Sequence, residues 1–507
     1  MKQKIISVVV CLKFALGVGF TSTATAEWHR VDSNVAQVYS EIGEKNSIEV
    51  AEQLSRYDTV LRTMMGSKED LNAPPIKVFV VSNYNDLKYV APKVPRSAIG
   101  FYRATPESIV TVLIGYDDPN VRILDAKTVL QHEYAHHFMY RNFSGVYPQW
   151  FVEGFAEYFS TIDFNDEKAV IGDLSIARYA TLLKRSMLDV ELFFVDELRG
   201  REVSGLYATA WLATHYFYSS TERQAQLFQY IRDQRAGSDP RLAFENAIGM
   251  TIKDFEKRLR TYLKKEIGAY VVSVPRQNSV ITKPVSVSNS NARDLMLYER
   301  VAGSSLDPED EDVDGEEILR LAKNRANSSG ASLTAQKAWV LANIKFGDKL
   351  LALDLAESLA MQTPSDTDLM YLHGYAALEA SGQEGADRIS FTDNARANLQ
   401  QVMSANPSDY RAYFKLGQSY FLSEGATSSE ALEAMINAYR LAPEVLPLTV
   451  NLAILLWSQG RDHEARLLLT PLANHPHETK IATVAGELLD LMGDNTDATI
   501  SHKYWQQ

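Results

Sequence analysis

Apolar positions change their period several times along this chain. After a basic start at Lys2 and Lys4, Ile5 to Phe20 is largely apolar, and the run ends in Ala24-Thr25-Ala26 ahead of Glu27. That is the layout of a secretory signal peptide, and Lys13 interrupts the run too early for a membrane anchor of about 20 residues. Residues 27 to about 125 then alternate strand-like and helix-like pieces. Ile76–Val81 and Ile109–Ile114 are β-branched runs bounded by turn residues and read as strands, while Ser47–Met65 reads as a helix. Helical patterns follow at about 126–142, 150–162 and 204–219, with more helix through about 221–267.

From Tyr270 to Ala302 the helical period disappears and Val, Ser, Asn and Pro dominate. Asp307 to Glu317 then holds eight acids in eleven positions. This reads as a linker over 269–330 carrying a solvated acidic loop. Asp310, Asp312, Asp314 and Gly315 imitate the start of a calcium loop, but Leu321 stands where an EF-hand needs a bidentate Glu. Beyond residue 331 helix-like segments recur, ended by Pro364, Pro407, Pro443 and Pro476 at spacings of 43, 36 and 33. Gly374 and Gly417 take the small position of a first helix, and Tyr413, Leu416 and Tyr420 its apolar face. Ala431, Ala438 and Ala465 fit the close contact with a second helix. The pattern resembles tetratricopeptide repeats, with three clear copies and a fourth at about 331–364. An insertion around Ala380 to Asp393 lengthens one unit.

Composition narrows the function. With 46% hydrophobic residues the chain can bury a large core, and its length suits two or three domains. The net charge is −13, and removing the signal segment, with three lysines and no acid, makes the remainder more acidic. Nucleic-acid binding needs a basic footprint and is excluded on that ground. The only cysteine, Cys11, lies in the signal segment, where Val10 before it does not suit a lipoprotein site. The mature chain therefore has no disulfide and no thiolate ligand, so histidines and carboxylates must hold any metal. No other segment is apolar enough to span a bilayer.

The chemistry concentrates in Gln131-His132-Glu133-Tyr134-Ala135-His136, an H-E-x-x-H match in a stretch free of Gly and Pro from Leu124 to Phe143. Residues i and i+4 share a helix face, so both imidazoles can reach one ion, with Glu133 beside its open position. His137 points about 100° away from that face. A zinc site needs a third protein ligand, and Trp150-Phe151-Val152-Glu153-Gly154-Phe155-Ala156-Glu157-Tyr158 offers Glu153 after a turn containing Gly145 and Pro148. Glu157, one turn further, is placed to fix a ligand imidazole by hydrogen bonding.

H-E-x-x-H followed by E-G-F-A-E-Y resembles the gluzincin peptidases of the peptidase MA kind, over about residues 28–265. Trp28 to Tyr39, Ile76–Val81 and Leu206-Tyr207-Ala208-Thr209-Ala210-Trp211 also resemble a bacterial subgroup that often carries C-terminal tetratricopeptide repeats. The resemblance implies an α+β zincin-like domain at 27–268 and an all-α repeat solenoid at 331–507. It also implies one Zn2+ on His132, His136 and Glu153, with Glu133 as base. It favours Tyr207 as the donor to a developing oxyanion, with His215 as runner-up on the same helical stripe through Trp211. The G-x-M-E-N segment of aminopeptidases is missing between Pro95 and Ile123, which points to an endopeptidase. The expected partners are a protein or peptide substrate and a protein held by the repeats, and the expected location is the periplasm or cell exterior. The competing reading is a repeat scaffold whose degenerate peptidase fold keeps a structural zinc.

Overall fold

A computed structural model of the chain describes residues 27–493 and Trp505, except 69–72, 97, 116–125, 144–146, 166, 186–187, 195–200, 266, 277–279, 305–313 and 474–479. The signal segment with Cys11, Gly145 and most of the acidic loop lie outside the described residues.

Strands β1 (Trp28–Asp32) and β2 (Ala36–Ser40) lead into α1 (Glu44–Met65), β3 (Ile76–Val81), α2 (Tyr84–Val90) and the hairpin β4 (Gly100–Ala104) and β5 (Ile109–Ile114). Next come α3 (Ala126–Asn142), α4 (Gln149–Phe159), β6 (Asp163–Phe164), β7 (Lys168–Ile171), α5 (Ile176–Arg185) and α6 (Arg201–Tyr218). Helices α7 (Thr221–Arg235), α8 (Pro240–Ile248) and α9 (Ile252–Lys265) precede β8 (Tyr270–Ser273), β9 (Val285–Val287), α10 (Asn289–Ala302) and α11 (Gly315–Ala326). The remainder runs as helix pairs: α12 (Leu333–Phe346) with α13 (Lys349–Gln362), and α14 (Thr367–Ala380) with α15 (Arg388–Ala405). These are followed by α16 (Tyr410–Glu424) with α17 (Ser429–Leu441), α18 (Leu446–Ser458) with α19 (Asp462–Ala473), and a final α20 (Lys480–Gly493). The molecule is thus mostly helical, with an N-terminal mixed sheet.

That sheet has the order β4-β5-β3-β2-β1-β9. The β2–β3 and β3–β5 pairs are parallel and the others antiparallel. Alternation along β3 sends Val78 and Val80 to one face with α1 and α3, and Phe79 and Val81 to the other with α2 and α10. Helix α3 is fixed from two sides. Tyr134 donates to Asp58 of α1 (2.9 Å). Gln131, wholly buried, donates to the carbonyls of Ser160 (3.3 Å) and Ile162 (2.9 Å) just beyond α4.

In the C-terminal helices Ser332, Asp348, Asp366, Asp387, Asp409 and Ser428 each cap the helix that follows by accepting its first free N–H groups. Close pairing needs the small residues. A Cβ on Gly374 would come within 3.1 Å of the Ala395 carbonyl, and one on Gly417 within 3.3 Å of that of Ala431.

Two expectations are corrected. Much of the described part of 269–330 is not linker: β8 pairs with β7, β9 extends the main sheet beyond β1, and Ala292 and Met296 of α10 are buried on its back face. Strands of three and four residues on a sheet edge leave little periodic signal, which is why composition alone suggested a loop. Nor are the two halves separate. One hydrophobic core runs from Phe138, Trp150 and Leu227 to Phe414, Leu448 and Leu469. Arg141 at the end of α3 donates to the Leu441 carbonyl (2.8 Å) and to Glu444 (3.3 Å) across the junction. Among the described residues no helix is long and apolar enough to cross a membrane.

Candidate metal centre

Helix α3 carries His132 and His136 on one face, and α4 packs against it with Glu153. The ligand atoms of these three residues all lie within 4.8 Å of one another. The two Nε2 atoms are 3.1 Å apart, and Glu153 Oε2 is 3.4 Å from that of His132 and 3.7 Å from that of His136. Nitrogen and oxygen ligands about 2.0–2.2 Å from a tetrahedral ion stand about 3.3–3.6 Å apart, so the three donors fit such a cation. Glu153 Oε2 is buried and faces both imidazoles.

Gly154, next to Glu153, explains how α4 reaches this position. A Cβ there would lie 2.3 Å from Thr214 Oγ1 and 2.7 Å from the Ala210 carbonyl, so only glycine lets α4 sit this close to α6.

Burial and charge act on the cluster together. Burial pushes the Glu133 carboxyl up to about 7, with His132 opposing. Burial lowers His136 to about 4. Burial also works against His132, but the carboxylates of Glu153, Glu157 and Glu133 prevail and hold it up at about 9. For Glu153 burial is outweighed by His136 and His132, and the carboxyl sits down at about 2. A divalent cation among these groups favours the carboxylates and neutral imidazoles.

The surrounding residues fall into place unequally. Glu157 Oε1 lies 3.4 Å from His132 Nδ1, the ring nitrogen turned away from the cluster. Tyr207 stacks beside the His132 ring, centroids 6.3 Å apart, and its hydroxyl hydrogen-bonds Glu153. His215 is not brought to the cluster. It is buried, with Nε2 at 2.9 Å from the Gly172 carbonyl and Nδ1 at 2.8 Å from the Tyr262 hydroxyl, so both ring nitrogens are spent on packing. That overturns its candidacy as oxyanion donor. Trp211 is wholly buried core. His137 faces the other way, 3.3 Å from the Tyr102 hydroxyl.

Sequence reasoning missed Arg178 of α5. Its guanidinium donates to both Glu157 oxygens (2.6 and 2.5 Å) and lies over the Tyr207 ring at 5.1 Å. Helix α5 is too far along the chain from either motif for spacing to flag it. The edge strand β4 was missed as well: a Cβ on Gly100 would lie 3.3 Å from Glu133 Cγ, and Gly100 and Phe101 line the adjacent cavity. That cavity, about 420 Å³, is lined by the polar His132, Glu133, Glu157, Arg178 and Tyr207 together with the apolar Val94, Ile99 and Val203.

No family model and no curated protein matches the chain. A solved structure described as "MamA RS-1 ArsTM double mutant" is 24% identical over a match covering 31% of this chain and 82% of that one. Its TM-score of 0.25 is too low for the likeness to carry an argument.

Proposed function

We propose that the protein is a zinc-dependent metallopeptidase of the gluzincin type, acting on peptide bonds within a protein or peptide substrate. The observation that carries this reading is the convergence of His132, His136 and Glu153 beside a cavity that Glu133 borders. What the ion supplies when bound is Lewis acidity, toward water and toward a carbonyl oxygen. Glu133 takes the water's proton and can return it to the leaving amine. Glu157, anchored by Arg178, orients the His132 ring through Nδ1. Tyr207 supplies an O–H toward the oxygen that gains charge. The edge strand β4 offers backbone groups along which an extended peptide can lie, and Gly100 keeps it close to Glu133.

The helix pairs after residue 331 are tetratricopeptide repeats in this reading, and the protein acts in the periplasm or outside the cell after residues 1–26 are removed. A protein partner or substrate is recruited by the repeats. The scaffold alternative is weaker, because a structural zinc site is closed by four protein ligands, whereas here three converge next to open space. Hydrolysis of an unstructured peptide by the wild type, lost in Glu133→Gln and in chelator, is the expected result. Equal hydrolysis by Glu133→Gln would remove the mechanism.

A further inference from the structure

Hairpin turns ordinarily lie at the surface, where water satisfies their backbone. The turn between β4 and β5 does not. Thr105 and Ser108 close it with reciprocal backbone hydrogen bonds of 2.8 and 3.3 Å, yet Pro106, Glu107 and Ser108 are all buried. The repeat region buries them. The Tyr410 hydroxyl, at the start of α16, donates to the Thr105 carbonyl (2.9 Å). Lys345, near the end of α12, lies 3.6 Å from the Glu107 carboxylate. Lys415 of α16 is fully buried, rests 3.7 Å over the Tyr375 ring of α14 and feels the charge of Glu107. Helix α10 completes the grip: Glu299 accepts from Ser108 (2.5 Å) and Lys77 (2.8 Å), and its carbonyl accepts from Arg103 (2.6 Å).

The other end of the same strand is at the candidate site. A Cβ on Gly100 would stand 3.3 Å from Glu133 Cγ and 3.2 Å from Val129 Cγ1 of α3, so β4 lies directly against the helix that carries the base. One strand of five residues therefore connects the buried turn to the proposed base.

We propose that the repeats act in cis as a clamp. Helices α12 and α16 grip the β4–β5 turn through Glu107 and the Thr105 carbonyl and so fix the edge strand beside Glu133, which makes Glu107 a positioning residue. An acidic tip suits this role. Removing one partner of a buried charge pair leaves the other uncompensated, so loss of the Glu107 charge leaves Lys345 and Lys415 as buried cations beside the turn and loosens its hold. The consequence for turnover rests on the peptidase reading, but the clamp itself does not.

The test uses the full chain and hydrogen exchange of the β4 amides in Glu107→Gln and Tyr410→Phe. The second variant keeps the ring and loses one hydrogen bond, so it reports even where the first fails to fold. The clamp predicts exchange over 100–104 faster by at least ~10-fold, with α3 and α4 protection and zinc content unchanged. With a cleavable peptide, kcat/KM falls in the same variants, because the loosened strand both borders Glu133 and carries the substrate. Wild-type exchange at β4 in every folded variant would overturn the clamp. A wild type that cleaves no peptide counts against the peptidase reading alone, because the exchange result still decides the clamp.

Discussion

Glu133 touches both the cavity and the edge strand, and it is the side chain whose chemistry the proposal depends on most. Gln at this position keeps size and polarity but cannot take a proton. Turnover is expected to fall by at least ~10²-fold in Glu133→Gln while zinc stays bound, measured by peptide hydrolysis beside metal analysis. Tyr207→Phe is expected to lose less, again with zinc retained, since one hydroxyl leaves and the stacked ring remains. Arg178 acts at one remove. Its fork holds both Glu157 oxygens, so Arg178→Met frees a carboxylate that faces His132, and zinc affinity is expected to drop by about 10–100-fold. Titration of zinc against a competing chelator reads that drop, and unchanged affinity would reduce Arg178 to a packing residue.

At the scale of elements, Gly154 decides where α4 lies. Gly154→Ala forces a methyl group against Thr214 and the Ala210 carbonyl of α6. Overpacking of this kind costs about 1–3 kcal/mol, and the shift of α4 carries Glu153 with it. Lower stability in denaturant together with weaker zinc binding is expected, and a variant as stable as wild type would show that α4 has room to move. The presence of this glycine was legible in the sequence, but its reason was not, because Ala210 and Thr214, the α6 residues it meets, lie more than fifty residues downstream. Strands β3 and β5 and helix α3 matched their sequence patterns closely, since β-branched runs and an uninterrupted helical period are local signals. Strands β8 and β9 were not read because they are short and their partners β7 and β1 are distant in the chain, and β4, although its partner β5 follows at once, holds no β-branched residue to mark it; helix α5 was not read either. His215 illustrates the same limit: its spacing from Tyr207 put it on a shared stripe, and only the contacts with Tyr262 and Gly172 reveal a structural role.

For the molecule as a whole, the composition between residues 269 and 330 suggested that the halves would separate, and the packing argues otherwise. A fragment ending at residue 268 lacks β9 and α10 from the sheet and exposes the core surface that the last helix pairs cover. It is expected to be insoluble, or unfolded and zinc-free, whereas the chain from residue 27 to 507 unfolds in one calorimetric transition. Two resolved transitions, or a folded zinc-binding fragment, would restore the separable arrangement.

The central claim is that His132, His136 and Glu153 form a zinc site, and metal analysis of the purified full chain tests it most directly. The account predicts about one zinc per chain, lost in His132→Ala and in Glu153→Ala together with some stability, because metal binding is linked to folding. Wild-type protein holding less than about half an equivalent, not restored by added zinc, would contradict it.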